Sequence, residues 1–126
     1  MKMFEQTGEF RPDSLIASLD FPILTAGVGL KAGQGVLERG SLIIEADKTG
    51  YIAGTAGVSG EIAGILTDKF DTGEDSSADN IPATVYQSGI FNRAAVTVSG
   101  EDAEIGTYES DMKKVNIYLR NVQKYE

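Results

Sequence analysis

The chain has 126 residues, 19 of them acidic against 11 basic, a net charge of −8, and neither cysteine nor histidine. Without those two residue types there is no disulfide, thiolate nucleophile, imidazole base or usual zinc ligand, which argues against Ser-His-Asp and Cys-His hydrolases and against zinc enzymes. The acidic balance opposes loose binding to nucleic-acid phosphates, and the length fits one compact domain with its own core.

The opening MKMFEQTGEF has no apolar core of signal-peptide length, and no apolar run in the chain is long enough to span a bilayer. The expectation is a protein made in a cytoplasm and kept or assembled there, with no membrane partner. Phe4, Phe10, Leu15, Ile16 and Phe21 are spaced irregularly among polar residues, and Pro12 and Pro22 interrupt the segment, so neither the helix nor the strand period holds. Residues 1–22 therefore read as an extended N-terminal arm and 23–126 as the body. Such an arm either packs an aromatic or two on its own domain or adds as a strand to a partner.

From Ile23 short apolar bursts alternate with Gly27, Gly29, Gly33, Gly35 and Gly40, a pattern of short strands joined by tight turns. Val36-Leu37 and Leu42-Ile43-Ile44 flank the polar Glu38-Arg39-Gly40, and a hairpin is the simplest outcome. No phosphate-cradling loop is present: Gly35 to Gly40 has the P-loop spacing but continues with Ser41, and Gly27, Gly29 and Gly33 miss the dinucleotide offsets. A turn at Asp47-Lys48-Thr49-Gly50 precedes a strand at Tyr51-Ile52-Ala53. Glu61 to Leu66 reads as a buried strand in which Gly64 lets another group approach closely.

Asp68 to Asn80 is the most acidic loop, with Asp68, Asp71, Glu74, Asp75 and Asp79 against Lys69. The ordered spacing of a calcium loop is missing, so a solvated surface loop is expected and no metal site. Thr84-Val85-Tyr86 and Asn92 to Val98 read as a strand pair around a turn or bulge at Ser88-Gly89. Arg93 suits a solvated strand position, an anion clamp or an ion pair across an interface. A short helix is expected over Ser110 to Val115, capped by Ser110 or Thr107 with Lys113-Lys114 at its C-terminal end, and then a closing strand over 116–122. The sum is a mainly β domain, a small barrel or sandwich of roughly eight to ten short strands with at most one short helix.

The succession Pro12-Asp13-Ser14-Leu15-Ile16, Gly33-Gln34, Leu37-Glu38-Arg39-Gly40-Ser41-Leu42, Ala63-Gly64-Ile65-Leu66, Tyr86-Gln87-Ser88-Gly89-Ile90-Phe91-Asn92-Arg93-Ala94-Ala95 and Asn116-Ile117-Tyr118-Leu119 resembles the head decoration proteins of tailed bacteriophages, the lambda type. The resemblance spans residues 12–120. It implies a β-rich homotrimer on the outside of the expanded capsid, at three-fold and quasi-three-fold positions, reinforcing the shell against packaged DNA. It implies no catalysis, no cofactor and no direct contact with nucleic acid. It also implies that the arm contacts the major capsid protein, which assigns capsid binding to Asp13, Leu15 and Ile16; Phe4, Phe10 and Arg11 lie before the matched stretch and are expected to extend that contact as part of the same arm. Arg93, Tyr118 and Arg120 are the expected subunit contacts. Over a shorter stretch, Val36 to Thr49 also resembles lipoyl and biotinyl carrier domains, in which a turn between two strands presents a lysine for modification. That resemblance implies a covalent cofactor on Lys48, with Gly64 sixteen residues beyond it.

Overall fold

Short apolar bursts between glycines give short strands, and a computed structural model, describing residues 15–18, 21–55, 57–99 and 105–121, contains ten of them among those residues. They are β1 (Ile16–Ser18), β2 (Thr25–Leu30), β3 (Val36–Leu37), β4 (Leu42–Ala46), β5 (Thr49–Ile52), β6 (Glu61–Leu66), β7 (Phe70–Asp71), β8 (Ile81–Tyr86), β9 (Gly89–Asn92) and β10 (Ile117–Arg120), with one α-helix, α1 (Glu109–Lys114). Five strands close a barrel in the order β2-β5-β4-β6-β8. A second sheet has the order β1-β9-β10, and β3 pairs with β7. The expected mainly β domain with one short helix is the fold. No helix among the described residues is long and apolar enough to cross a membrane.

The run Leu42-Ile43-Ile44 is apolar at every position because β4 is buried on both faces. Ile43 joins Val28, Leu30, Leu37, Leu66, Ala83 and Val85 in one core cluster, drawn chiefly from the barrel strands. Leu42 and Ile44 face the other way, into a cluster with Leu15, Ile65, Phe91, Val96, Met112 and Ile117 that joins the barrel wall to the second sheet and α1. The same split places Ile65 and Leu66 of β6 on opposite sides. Gly64 sits where β6 shifts register against β4, and a side chain there would collide with the Tyr86 carbonyl and with Val85. Its expected role in close approach is what the packing requires.

Several local expectations are corrected. Val36-Leu37 does not form a hairpin with Leu42-Ile44: β3 pairs antiparallel with β7, and the chain turns at Glu38–Ser41 into the barrel. That turn is tied down elsewhere. Ser41 Oγ donates to Glu38 O (2.7 Å), and the Arg39 guanidinium donates to Thr67 O (2.6 Å) and to the Tyr86 hydroxyl (2.7 Å). The strand expected over Asn92 to Val98 stops at Asn92, whose side chain accepts the Ala94 N–H (3.2 Å) and starts a 3-10 turn over Arg93–Ala95. Thr97 then runs beside Ser41 in a parallel bridge. The helix begins one residue earlier than expected, with Tyr108 at its cap and no side-chain cap bond, so neither Ser110 nor Thr107 is the cap. Lys113 and Lys114 do lie in its last turn, and Asn116, in the left-handed region (φ 67°), turns the chain out of the helix into β10.

The arm boundary also moves. Leu15 is 1% exposed inside the second core cluster, and Ile16–Ser18 is a strand of the second sheet, so the body includes residues 15–18, ahead of the expected boundary at Ile23.

Candidate functional site

The hexapeptide Ser88-Gly89-Ile90-Phe91-Asn92-Arg93 fastens both ends of the described chain. Ser88, nearly buried, donates through Oγ to Pro22 O (2.8 Å) and accepts the Leu24 N–H (3.2 Å), which pins the segment entering β2. Gly89 N donates to Asn116 O (3.1 Å) at the start of β10, and Asn92 N donates to Leu15 O (2.8 Å) at the start of β1. Arg93 forms an ion pair with Glu109 of α1 and donates to Asn121 Oδ1 (2.7 Å) just beyond β10. Phe91, fully buried, is the apolar centre between these anchors.

Strand directions bring the two ends of the described chain to one end of the sheet. β1 is antiparallel to β9, so its first residues lie beside the last residues of β9. β10 is parallel to β9, so its last residue, Arg120, pairs with Asn92. Leu15 and Arg120 therefore flank Asn92 at the same end of the sheet, about 10 Å apart across two strand spacings.

Alternation along β10 turns Ile117 into the core and Tyr118 and Arg120 to the opposite, outer face, where Tyr118 lies beside Ile90 of β9. Phe21 packs its ring edge-on against Tyr118, 5.4 Å between centroids at 81°. This face is thus partly apolar, aromatic and half-exposed, with an exposed arginine at its border.

The expected site residues divide accordingly. Tyr118 and Arg120 share the outer face, as a joint contact surface requires. Arg93 is engaged within the molecule by Glu109 and Asn121 while its side chain stays 31% exposed, so it acts as an internal clamp at a surface position. Leu15 is a core residue and not a contact residue: its side chain is spent on its own domain. Ile16 is half-buried and packs against the same core. Phe4, Phe10, Arg11 and Asp13 lie outside the described residues. Ser88, Asn92, Glu109, Asn121 and Phe21 escaped sequence reading. Small polar residues next to strands, Ser88 and Asn92, were the available signal.

Lys48 has a distinct setting. With Asp47 (φ 53°) and Lys48 (φ 64°) both left-handed between the paired residues Ala46 and Thr49, β4 and β5 form a two-residue hairpin of the I′ kind, with Lys48 exposed at its tip. The acidic loop is exposed from Glu74 to Asn80 but is fastened by buried Thr72 and by Lys31 Nζ on Ser76 O (2.7 Å). In it the Ser77 hydroxyl and N–H both donate to Asp75 Oδ1 (2.6 and 2.9 Å), which holds the Asp75 carboxyl below its ordinary pKa. Among the described residues no group of three or more acidic side chains converges on a metal-sized position.

Neither the protein-family models nor the curated proteins contain a match to this chain.

Proposed function

We propose that this protein is a phage capsid decoration protein: a trimer that binds the outside of the expanded head at three-fold and quasi-three-fold positions and stabilises the shell against packaged DNA. The observation that carries the reading is the role of the block Ser88 to Ala95. The block in which the family resemblance is most specific includes the residues that anchor Pro22, Leu24, Leu15, Glu109 and Asn121, so the resemblance falls on the element that fastens both ends of the described chain. A decoration protein needs area, order and symmetry rather than a reaction centre. Arms leaving a rigid sheet at fixed points suit that task, because three arms linked in one trimer bind together through their effective concentration. The outer face bearing Tyr118 and Arg120 is the subunit contact in this reading, and the segment before Leu15 is the contact with the major capsid protein. Incubation of the full chain with expanded shells lacking their decoration tests it. Saturable co-sedimentation, with a trimer in solution or formed on the shell, is expected; no co-sedimentation, or a stable even-numbered oligomer, overturns it.

One observation favours a second reading. Lys48 stands at the tip of a tight hairpin between two strands, as the carrier-domain resemblance requires, and would then bear a lipoyl or biotinyl group. That reading gives no role to β9, β10 and the anchors between them. Intact mass after co-expression with a lipoyl or biotin ligase separates the two: an unmodified chain is expected, and a stoichiometric adduct lost in Lys48→Arg would replace the decoration reading.

A further inference from the structure

The barrel is closed by unequal seams. β2 and β8 are paired all the way from Thr25↔Tyr86 to Leu30↔Ile81, and β4 and β5 from Ile43↔Ile52 to Ala46↔Thr49. β2 and β5 meet in the lone parallel pair Leu30↔Gly50, supplemented by Lys31 N donating to Gly50 O (2.9 Å). Past that pair β5 has outward backbone groups and, among the described residues, no strand to take them.

A side chain takes them instead. Gln34 Oε1 accepts the Ile52 N–H (3.0 Å), and Gln34 Nε2 donates to Gly50 O (3.2 Å) and to Lys31 O (2.8 Å). A carboxamide presents one carbonyl and one N–H edge, as a peptide group does, so Gln34 stands in for one peptide of the missing strand. Its own backbone is held by Thr72, 2% exposed, whose Oγ1 accepts the Gln34 N–H (2.8 Å) and donates to Gly35 O (2.7 Å). On the inner side the seam is close-packed. A side chain at Gly50 would come within 3.0 to 3.2 Å of Val28, Ile43 and Leu30.

We propose that the barrel opens at the β2–β5 seam, and that the Gln34 carboxamide is the latch that sets how often it does. A seam of one ladder pair has few hydrogen bonds to break, and separating it parts β2 from β5 while both keep their other neighbours. The latch acts through three bonds made by one side chain, so its chemistry can be changed without altering the ladder.

Native-state hydrogen exchange of the full chain, read as protection factors at single amides, tests this. In the wild type, Lys31 and Ile52 N–H exchange through a local opening, while amides of the β4–β6 ladder exchange only on global unfolding. Gln34→Ala lowers protection at Lys31 and Ile52 by about ten- to a hundred-fold beyond any change in the β4–β6 ladder. Gln34→Glu keeps size and shape but loses both donor hydrogens at neutral pH. Its carboxylate still accepts the Ile52 N–H but repels Gly50 O and Lys31 O, so the readout is Lys31, whose N–H donates to Gly50 O: protection there, relative to wild type at the same pH, is lowered at neutral pH and recovers as the pH falls and the protonated carboxyl regains one donor. A purely space-filling role would show no such recovery. The proposal is overturned if all amides change together in Gln34→Ala, or if protection at Lys31 and Ile52 is unaffected. Should Gln34→Ala not fold, the pH dependence of Gln34→Glu decides: recovery at low pH supports the latch and a flat profile refutes it.

Discussion

Replacing Leu15 with alanine separates a surface arm from a core strand. Leu15 is 1% exposed and packs in a cluster with Leu42, Ile44, Ile65, Phe91, Val96, Met112 and Ile117, all of them buried. Its Cδ1 lies 3.4 Å from where a side chain on Gly40 would begin, so the space around it is already filled. Truncation removes the transfer free energy of the lost methyl and methylene groups and leaves a cavity between strands that cannot collapse far, because β4 and β6 are pinned in the barrel. Leu→Ala changes at such sites cost about 3 to 4 kcal/mol. For a domain of this size that lowers the melting temperature by roughly 12 to 16 °C, at about 4 °C per kcal/mol. Urea unfolding followed by circular dichroism should show the midpoint falling at unchanged slope. Ile16→Ala, at a half-buried position, should lose only about 1 kcal/mol. A loss below about 0.5 kcal/mol for Leu15→Ala would refute the assignment of Leu15 to the core and return it to the arm.

A double-mutant cycle on Arg93→Ala and Glu109→Ala should give a coupling of about 1 kcal/mol that shrinks in high salt, since both side chains are only partly exposed; zero coupling would remove Arg93 from its role as an internal clamp. Gly64→Ala forces a Cβ against the Tyr86 carbonyl and Val85, and should cost at least about 2 kcal/mol in the same unfolding assay, whereas a neutral result would contradict the packing of β6 on β8. Ser77→Ala removes the larger of the two hydrogen bonds that depress the Asp75 carboxyl, so an NMR titration should show Asp75 moving up towards its ordinary value. A depressed folded pKa contributes stability above the unfolded value that is lost as pH falls through the folded one. The variant should therefore lose stability slightly above that acidic window and converge with the wild type below it.

The parts of the fold legible in the sequence are those set by neighbours in the chain. Glu61 to Leu66 reads as a buried strand from its own apolar run. The helix and β10 follow from Lys113-Lys114 and the apolar residues after Asn116, and the tight turn follows from Asp47-Lys48. What was illegible depends on distant partners. Val36-Leu37 looks like half of a hairpin because its true partner, Phe70-Asp71, lies across the barrel sequence and itself looks like loop. Leu15 and Ile16 look like arm because a strand of three residues carries no period, and only Phe91 and Asn92 make it one. Asn92 ends its strand through one side-chain bond to Ala94, which no apolar pattern announces. In the candidate site, the shared outer face of Tyr118 and Arg120 follows from the alternation of β10 once Ile117 is fixed in the core. The tasks of Arg93 and Gln34 are long-range hydrogen bonds, invisible to spacing.

In the proposed decoration role, the contact with the shell runs through the segment that precedes Leu15. The boundary found here gives the truncation that tests it: a version lacking residues 1–13 keeps β1 and its core, unlike one starting at Ile23. Co-sedimentation of both with expanded, undecorated shells at equal concentrations is the most direct measurement. Saturable binding is expected of the full chain, and binding at least about ten-fold weaker of the truncated one, as linked arms are lost. Equal binding of the two, or no binding of either, would contradict it.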